Sequence, residues 1–507
     1  GKGTICNMGA EVGATTSIFP YDERMASYLN ATNRSQIADL ANNNYEHLKA
    51  DSEIESNPEK YYDQLIDINL STLEPMVVGP HTPDLARSLS ALEEEAKENN
   101  WPTELKAALI GSCTNSSYED MERAASIAQQ ALDAGLVSKT PFLVTPGSDQ
   151  IDQTIRRDGQ MEVLSAIGGT VLANACGPCI GQWKRDDVSP GQTNTIISSY
   201  NRNFSGRNDG NHQTLSFLAS PEVVTALALA GRLDFNPNTD SLTTEDGRNI
   251  LLKPPTGKEL PENGFEFSSE GYISPSNTDS DLVISPNSER LQSLEPFSPS
   301  SSQDFSNLPI LLKVEGKCTT DHVSPAGPWL RYRGHLDNIS DNCYTGAYNI
   351  FSDEQGTAIN QFTGEKAGVS TIARQYKESN QGWAVIADIN YGEGSSREHA
   401  AMSPRFLGCK VLISRSIARI AETNLKKQGV LALIFDNPES WNLLKSEDRI
   451  SILGIEDLAP GSKLTVKTEH SDGTSDDFTC SHSMNNLQIA WFNAGSAMNY
   501  LRNQDLN

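Results

Sequence analysis

Two cysteines three positions apart, Cys176-Gly177-Pro178-Cys179, point most directly to chemistry in this 507-residue chain. A C-x-x-C pair suits a dithiol redox couple, a zinc site or an iron–sulfur cluster. The redox reading has the right four letters. Ala175 precedes the pair, however, and Gly181 soon follows it, so neither a leading tryptophan nor an unbroken helix accompanies the motif. Structural zinc takes four ligands, usually from a second pair, and no second C-x-x-C or H-x-x-x-H occurs. An iron–sulfur cluster needs a further thiolate. Cys113 offers one from the polar loop Gly111-Ser112-Cys113-Thr114-Asn115-Ser116. A cysteine on its own is more often a small buried hydrophobe, but this loop has backbone and hydroxyl donors able to tune cluster sulfurs. Three protein ligands on a four-iron cluster leave one iron open, a Lewis acid for a hydroxyl and a carboxylate. That reading requires the thiols of Cys113, Cys176 and Cys179 to converge.

The segments around these cysteines alternate between strand and helix patterns. Ala107-Ala108-Leu109-Ile110 reads as a strand running into the cysteine loop. A helix is expected over about 118–132, with Ser117 and Asp120 spaced as a capping box. Pro141-Phe142-Leu143-Val144 and Gly169-Thr170-Val171-Leu172-Ala173 open two more such units, the second leading into Asn174-Ala175-Cys176. Three βα units in succession predict an α/β domain with a parallel sheet and helices on both faces, three layers in all. Ligands of such sheets sit beyond the carboxyl ends of the strands, where these cysteine loops fall.

Upstream, residues 1–72 hold a Gly/Ala/Thr-rich run, helical patterns near 23–31 and 35–50, and an exposed polar connection over 42–63. Downstream, 269–305 is a Ser/Pro/Asn/Asp-rich interdomain linker. Residues 306–507 read as a second α/β unit. Its strands are expected near 309–315, 383–388, 410–413 and 431–434, and its helices near 398–406, 416–428 and 486–504.

The formal net charge is −26. Nucleic-acid binders present basic surfaces to phosphate, so no nucleic-acid partner is expected. An anionic ligand would need arginines gathered in one pocket. No run of about 18 apolar residues occurs, so no membrane-spanning helix is expected. Eight cysteines scattered over a long chain suit a reducing compartment rather than a disulfide scaffold. The opening Gly1-Lys2-Gly3-Thr4 reads as a cut into something longer.

Taken together, the Cys113 loop and the stretch Ala173-Asn174-Ala175-Cys176-Gly177-Pro178-Cys179-Ile180-Gly181-Gln182-Trp183 closely resemble the aconitase family. So do Tyr200-Asn201-Arg202-Asn203-Phe204, Thr319-Thr320-Asp321-His322 and Gly392-Glu393-Gly394-Ser395-Ser396-Arg397-Glu398-His399. The texture is most similar to mitochondrial aconitases of fungi, which implies the mitochondrial matrix. The resemblance implies that 1–72 is the remnant of a second α/β domain, 73–268 a third carrying the cluster, and 306–507 a swivelling C-terminal domain. The family's N-terminal domain is absent, so an inactive fragment is one expectation. A monomer is another.

The resemblance also assigns roles. Cys113, Cys176 and Cys179 would hold a four-iron, four-sulfur (4Fe–4S) cluster. Ser395 would be the base, although serines at a helix start usually serve as caps. Arg202, Arg207, Arg333, Ser396 and Arg397 would bind the three carboxylates of the substrate, since guanidinium matches carboxylate bidentately. Asn7 and Asn201 would lie near the cluster. Glu11 and Asp321 would be active-site carboxylates, and His322 a support for the fold. Citrate would lose a proton and a hydroxide to give cis-aconitate, which is rehydrated to isocitrate. Ala421, the run Ala401-Met402-Ser403-Pro404, Cys343 and Cys409 depart from the family pattern. They suggest a paralogue, with a homoaconitase-like enzyme of a longer tricarboxylate as the nearest alternative and an RNA-binding regulator as another.

Overall fold

The computed structural model describes residues 1–267, 272–276, 282–395 and 397–505. Two compact units emerge: Gly1–Asn7 with Ile18–Asn277, and Met8–Ser17 with Thr278–Asn507. Their division falls inside the Ser/Pro-rich stretch.

The first unit is built on a seven-stranded sheet. Its strands are β1 (Met76–Val78), β2 (Ala86–Ser88), β3 (Leu105–Gly111), β4 (Phe142–Thr145), β5 (Gly169–Val171), β6 (Asn194–Ser198) and β7 (Thr214–Leu218), in the spatial order β2-β1-β7-β6-β3-β4-β5. Strands β7 to β5 are parallel. The β1–β2 pair is antiparallel and joins the edge at β7. It adds an antiparallel margin to the parallel sheet read from the sequence. Every residue of β6 is buried, its polar Asn194, Thr195 and Ser198 included.

One face carries the main core, filled by α2 (Tyr118–Asp133), α3 (Asp149–Arg157), α4 (Gln160–Ala166) and α5 (Pro221–Ala230). Helix α2 begins with the expected capping box: the Ser117 side chain accepts from the Asp120 amide, and the Asp120 carboxylate accepts from the Ser117 amide. Met121, Ala124, Ala128 and Ala131 recur three to four positions apart and bury its inner stripe. The other face holds a smaller core of Ala107, Leu109, Ile196 and Leu218 with Cys179 and Tyr200. The single turn around Cys179 packs on this face.

Of residues 1–76 only Ala38 is buried. Ile18, Ile66 and Leu70 are 84, 74 and 79% exposed. The expected helix over 35–50 stops at Asn43 and is followed by one 3-10 turn, Tyr45–His47.

The second unit is a closed barrel of β8 (Leu308–Lys313), β9 (Trp383–Ile386), β10 (Cys409–Ser414), β11 (Leu431–Phe435), β12 (Arg449–Leu453), β13 (Lys463–Glu469) and β14 (Ser475–Ser481). Strands β8 to β11 are parallel neighbours. The ring then continues antiparallel through β14, β13 and β12 and closes on β8. Side chains from all seven strands fill the interior, among them Ile310, Ile386, Ile413, Leu433, Ile450, Val466 and Phe478. The expected helix over 486–504 is two helices, broken at Gly495, whose φ is +90°. Part of the presumed linker is fixed: buried Arg405 donates to the Ser298 carbonyl at 2.7 Å, and Asn499 donates to that of Phe297 at 2.7 Å.

At one end of the barrel His470 lies between two carboxylates, Asp448 and Asp476, each 2.9 Å away. Hydrogen bonds to Asp476 and Asp448 hold its pKa above the usual 6.5, against opposition from burial and Lys445. A group whose folded pKa is raised stabilises fully below its unfolded pKa and loses that contribution as pH climbs through the folded one. Thermal unfolding is thus expected at lower temperature above about pH 8 than below about pH 6. His470→Gln should flatten that part of the profile; an unchanged slope in the variant would assign the pH dependence elsewhere.

Candidate active site

In the first unit the chain leaves β3 toward β4 and β5 and later returns to place β6 on the opposite flank of β3. Strand order therefore reverses between β3 and β6, and the loops leaving their carboxyl ends diverge around a crevice. Those loops carry Ser112-Cys113-Thr114-Asn115 and Ser199-Tyr200-Asn201-Arg202.

The two loops are stitched together. Gly111 N donates to Ser199 Oγ at 2.9 Å, and Asn115 Nδ2 donates to the Ser199 carbonyl at 2.9 Å. Asn7, on α1 (Lys2–Glu11), is held by both. Its Oδ1 accepts from Thr114 Oγ1 at 2.8 Å and from Asn201 Nδ2 at 2.9 Å. Gly111 adopts φ +97°, and a Cβ there would stand 1.7 Å from the Thr145 carbonyl oxygen, so no other residue fits. Ser112 and Asn115 also take left-handed φ values of 78° and 54°. That strain turns Cys113 outward.

The second cysteine loop follows β5. Cys176 caps a single 3-10 turn, Gly177–Ile180, and Cys179 N donates to the Cys176 carbonyl at 2.8 Å. Within that turn Gly177 takes a left-handed φ of +39°. Cys113 and Cys176 are exposed, Cys179 is buried, and all three are free. Arg207 Nε donates to the Cys179 carbonyl at 2.8 Å. Burial pushes the Cys179 thiol up; the Arg207 and Arg202 guanidiniums oppose this, and the charges of Cys113 and Cys176 add to it. Cys179 thus lies within electrostatic reach of the two other thiols and of two buried arginines. Among the described residues no three His, Cys, Asp or Glu side chains are placed to chelate one ion. An inorganic cluster spreads its thiolates over separate irons.

In the second unit, a short helix α6 (Thr320–Val323) begins at Thr319, whose amide donates to His322 Nδ1 at 3.1 Å. His322 is therefore a cap, and burial holds its pKa down. Asp321 Oδ1 pairs with Arg397 Nη2 at 2.6 Å. Arg397 Nη1 donates to the carbonyls of Ser324 at 2.7 Å and Thr320 at 3.3 Å. The turn bearing Ser395 is anchored through Thr320 N to the Glu393 carbonyl at 2.9 Å and Gly392 N to the Cys318 carbonyl at 2.7 Å. Half-buried Ser395 faces a narrow cleft with Thr320, Arg397, Ala401, Ala421 and Asn424. Two of the family departures, Ala401 and Ala421, thus line the space beside it.

Arg333 is exposed, and its carbonyl lies 2.9 Å from His399 Nε2. His399 therefore fixes that loop. Glu11 is half-buried at the end of α1, and the next carbonyl, Val12, accepts from Asn390 Nδ2 at 3.1 Å. Ser396 lies outside the described residues. Sequence reasoning missed Asn208, Ser199 and Asn390. Their partners are distant in the chain, and no spacing rule singles them out.

The family model for aconitase (aconitate hydratase) matches residues 1–231, and that for the aconitase C-terminal domain matches 308–438. The chain belongs to the aconitase family. It is similar to a probable mitochondrial aconitate hydratase of Dictyostelium discoideum, with 56% identity over 99% of this chain and 65% of that one. Identity to the mitochondrial aconitate hydratase of Gracilaria gracilis is 54%, and to that of Saccharomyces cerevisiae 53%, each over 99% of this chain and 64% of the relative. The chain spans about 65% of the length of the curated relatives it matches. Within this aconitase-family chain the first match contains Asn7, the three cysteines and Arg202 and Arg207. The second contains Asp321, Arg333, Ser395 and Arg397.

Proposed function

We propose that this chain carries the cluster-binding and substrate-binding residues of a mitochondrial-matrix aconitate hydratase, a hydro-lyase that interconverts citrate and isocitrate through cis-aconitate. The observation that supports the reading is a buried Cys179 within electrostatic reach of Cys113, Cys176 and two buried guanidiniums, in a chain about half identical to aconitate hydratases. On this reading 1–72 is the remnant of a second domain, 73–268 the cluster domain, and 306–507 the swivelling domain of a monomer.

The donor set suits a 4Fe–4S cluster. Thiolates are its normal ligands, and Arg202 and Arg207 offset the negative charge that thiolates and cluster bring together. Held there, the cluster would supply an open iron as a Lewis acid for the substrate hydroxyl and a carboxylate. Cys113, Cys176 and Cys179 would ligate it, with Asn7 and Asn201 beside it. Arg202, Arg207, Arg333 and Ser396 would take up the substrate carboxylates. A serine hydroxyl is a weak base unless its conjugate anion is stabilised. Arg397, fixed by Asp321, and the amides of the tight turn supply that stabilisation for Ser395. Ser395 would then remove the proton from the carbon next to the departing hydroxyl, with Glu11 serving the hydroxyl side.

Ser395→Ala tests the assignment. In anaerobically reconstituted protein, kcat for citrate is expected to fall by roughly a thousandfold. KM and iron content should hold. A variant that keeps full turnover, or a wild type that prefers homocitrate, would overturn the reading.

A further inference from the structure

Asn208 has no role in the scheme above, yet it is 2% exposed and bonded on both sides. Its Nδ2 donates to the carbonyl of Pro178, inside the C-x-x-C turn, at 3.1 Å. Its Oδ1 accepts from Ser216 Oγ on β7 at 2.9 Å. Ser216 is 3% exposed, and its own carbonyl accepts from Asn203 Nδ2 at 3.0 Å. Proline has no N–H, so the Pro178 carbonyl is the one backbone polar group at that position. It also accepts from Gly181 N at 3.3 Å, which closes the turn. The Pro178 carbonyl can only accept, so it fixes the amide nitrogen of Asn208 toward itself, and the amide oxygen is left to take the Ser216 hydroxyl proton.

We infer that Asn208, anchored to the sheet by Ser216, is a positioning residue that sets the direction of the Cys179 thiol relative to Cys176. It connects the parallel sheet to the peptide between the two thiols, while Arg207 holds the next carbonyl. An aspartate would have the same shape but would present an oxygen to the Pro178 oxygen. The inference rests on the proposed function for the purpose of that positioning. The geometry itself can be tested without a cluster.

The test measures alkylation of each cysteine, by mass spectrometry, in the cluster-free 507-residue chain. In the wild type Cys179 should react slowly and Cys113 quickly. Asn208→Asp and Asn208→Ala are expected to speed Cys179 by roughly five- to tenfold, the factor for one lost hydrogen bond, and to leave Cys113 unchanged. Ser216→Ala should give a smaller increase, and adding it to Asn208→Ala should give no more. Cys318 and Cys480, buried elsewhere, report any general unfolding; should the Asn208 variants unfold, Ser216→Ala carries the test. A parallel reconstitution reads the cluster by EPR and its lifetime in air, which the Asn208 variants should shorten. Cys179 rates within about twofold of wild type in the folded variants overturn the relay. If the wild type takes up no cluster, the proposed function fails, and the alkylation ratios still decide the relay.

Discussion

Serine in place of Cys179 is expected to remove the cluster altogether. After anaerobic reconstitution, iron and acid-labile sulfide should fall to the background of an unrelated protein, and the EPR signal should vanish. The reason is the shape of the turn. Cys176 and Cys179 bound a single turn that Asn208 and Arg207 hold by the carbonyls of Pro178 and Cys179. The other thiol comes from a loop that Gly111 lets pass within contact of Thr145. A hydroxyl is a poor replacement ligand because it deprotonates so reluctantly. The fold should survive, because serine is close to cysteine in size and Cys179 belongs to the smaller core of this unit, not the main one. Serine at 113 or 176 should behave alike. Full iron content in any of the three variants would remove that cysteine from the ligand set.

Arg397→Ala is expected to be the most destabilising change near Ser395. The arginine is 8% exposed and neutralises Asp321, and it also satisfies the carbonyls of Ser324 and Thr320. Its removal takes the guanidinium from a largely buried carboxylate and the side-chain donor from the Ser324 carbonyl, while the Thr320 carbonyl keeps the Ser324 amide. Breaking a buried pair this way costs about 3 kcal/mol or more, which lowers the melting temperature by roughly 10 °C in a unit of this size. Adding Asp321→Ala should recover part of the loss, because the stranded charge goes with it. Turnover should be lost in the single and double variants alike. Calorimetry that finds the single variant as stable as wild type would show the pair to be decorative.

Much of this architecture was legible in the residues. The strands leading into both cysteine loops could be read because each is a short apolar run ending in a polar loop. Ser117 and Asp120 announced the helix between them. The parallel half of the barrel could be read for the same reason, from Leu311-Leu312, Trp383-Ala384-Val385-Ile386 and Leu431-Ala432-Leu433-Ile434. Its antiparallel half passed unnoticed, although Ile450 and Ile452, and Leu464 and Val466, alternate with polar neighbours, and Asp472-Gly473 marks the hairpin turn between β13 and β14. Alternation over five residues is a weak signal beside a run of apolar ones. In the candidate site, the cysteines declared themselves by type and spacing, and the arginines only through the family resemblance. Asn208, Ser216 and Ser199 could not, since an asparagine or serine acts through whichever carbonyl the fold brings to it. The same holds for the second face of the sheet. A residue string shows that β3 is apolar on both sides, but not that a cysteine turn packs on one of them.

The ring in the second unit has a seam. Leu308 and Pro309 pair with Ile450 and Arg449, so the first strand of the barrel is joined by one that emerges from the ribosome only after some 140 residues more. Until then β8 has one neighbour and one bare edge, and bare edges invite the wrong partner. Contacts this distant in sequence also pay their closure entropy before they return any stability. The order of synthesis therefore leaves a nascent chain whose parallel strands, with Trp383 and the Cys318–Cys343–Cys409 core, are complete before the ring can shut. That interval is when the unit is most exposed to aggregation and most dependent on a chaperone.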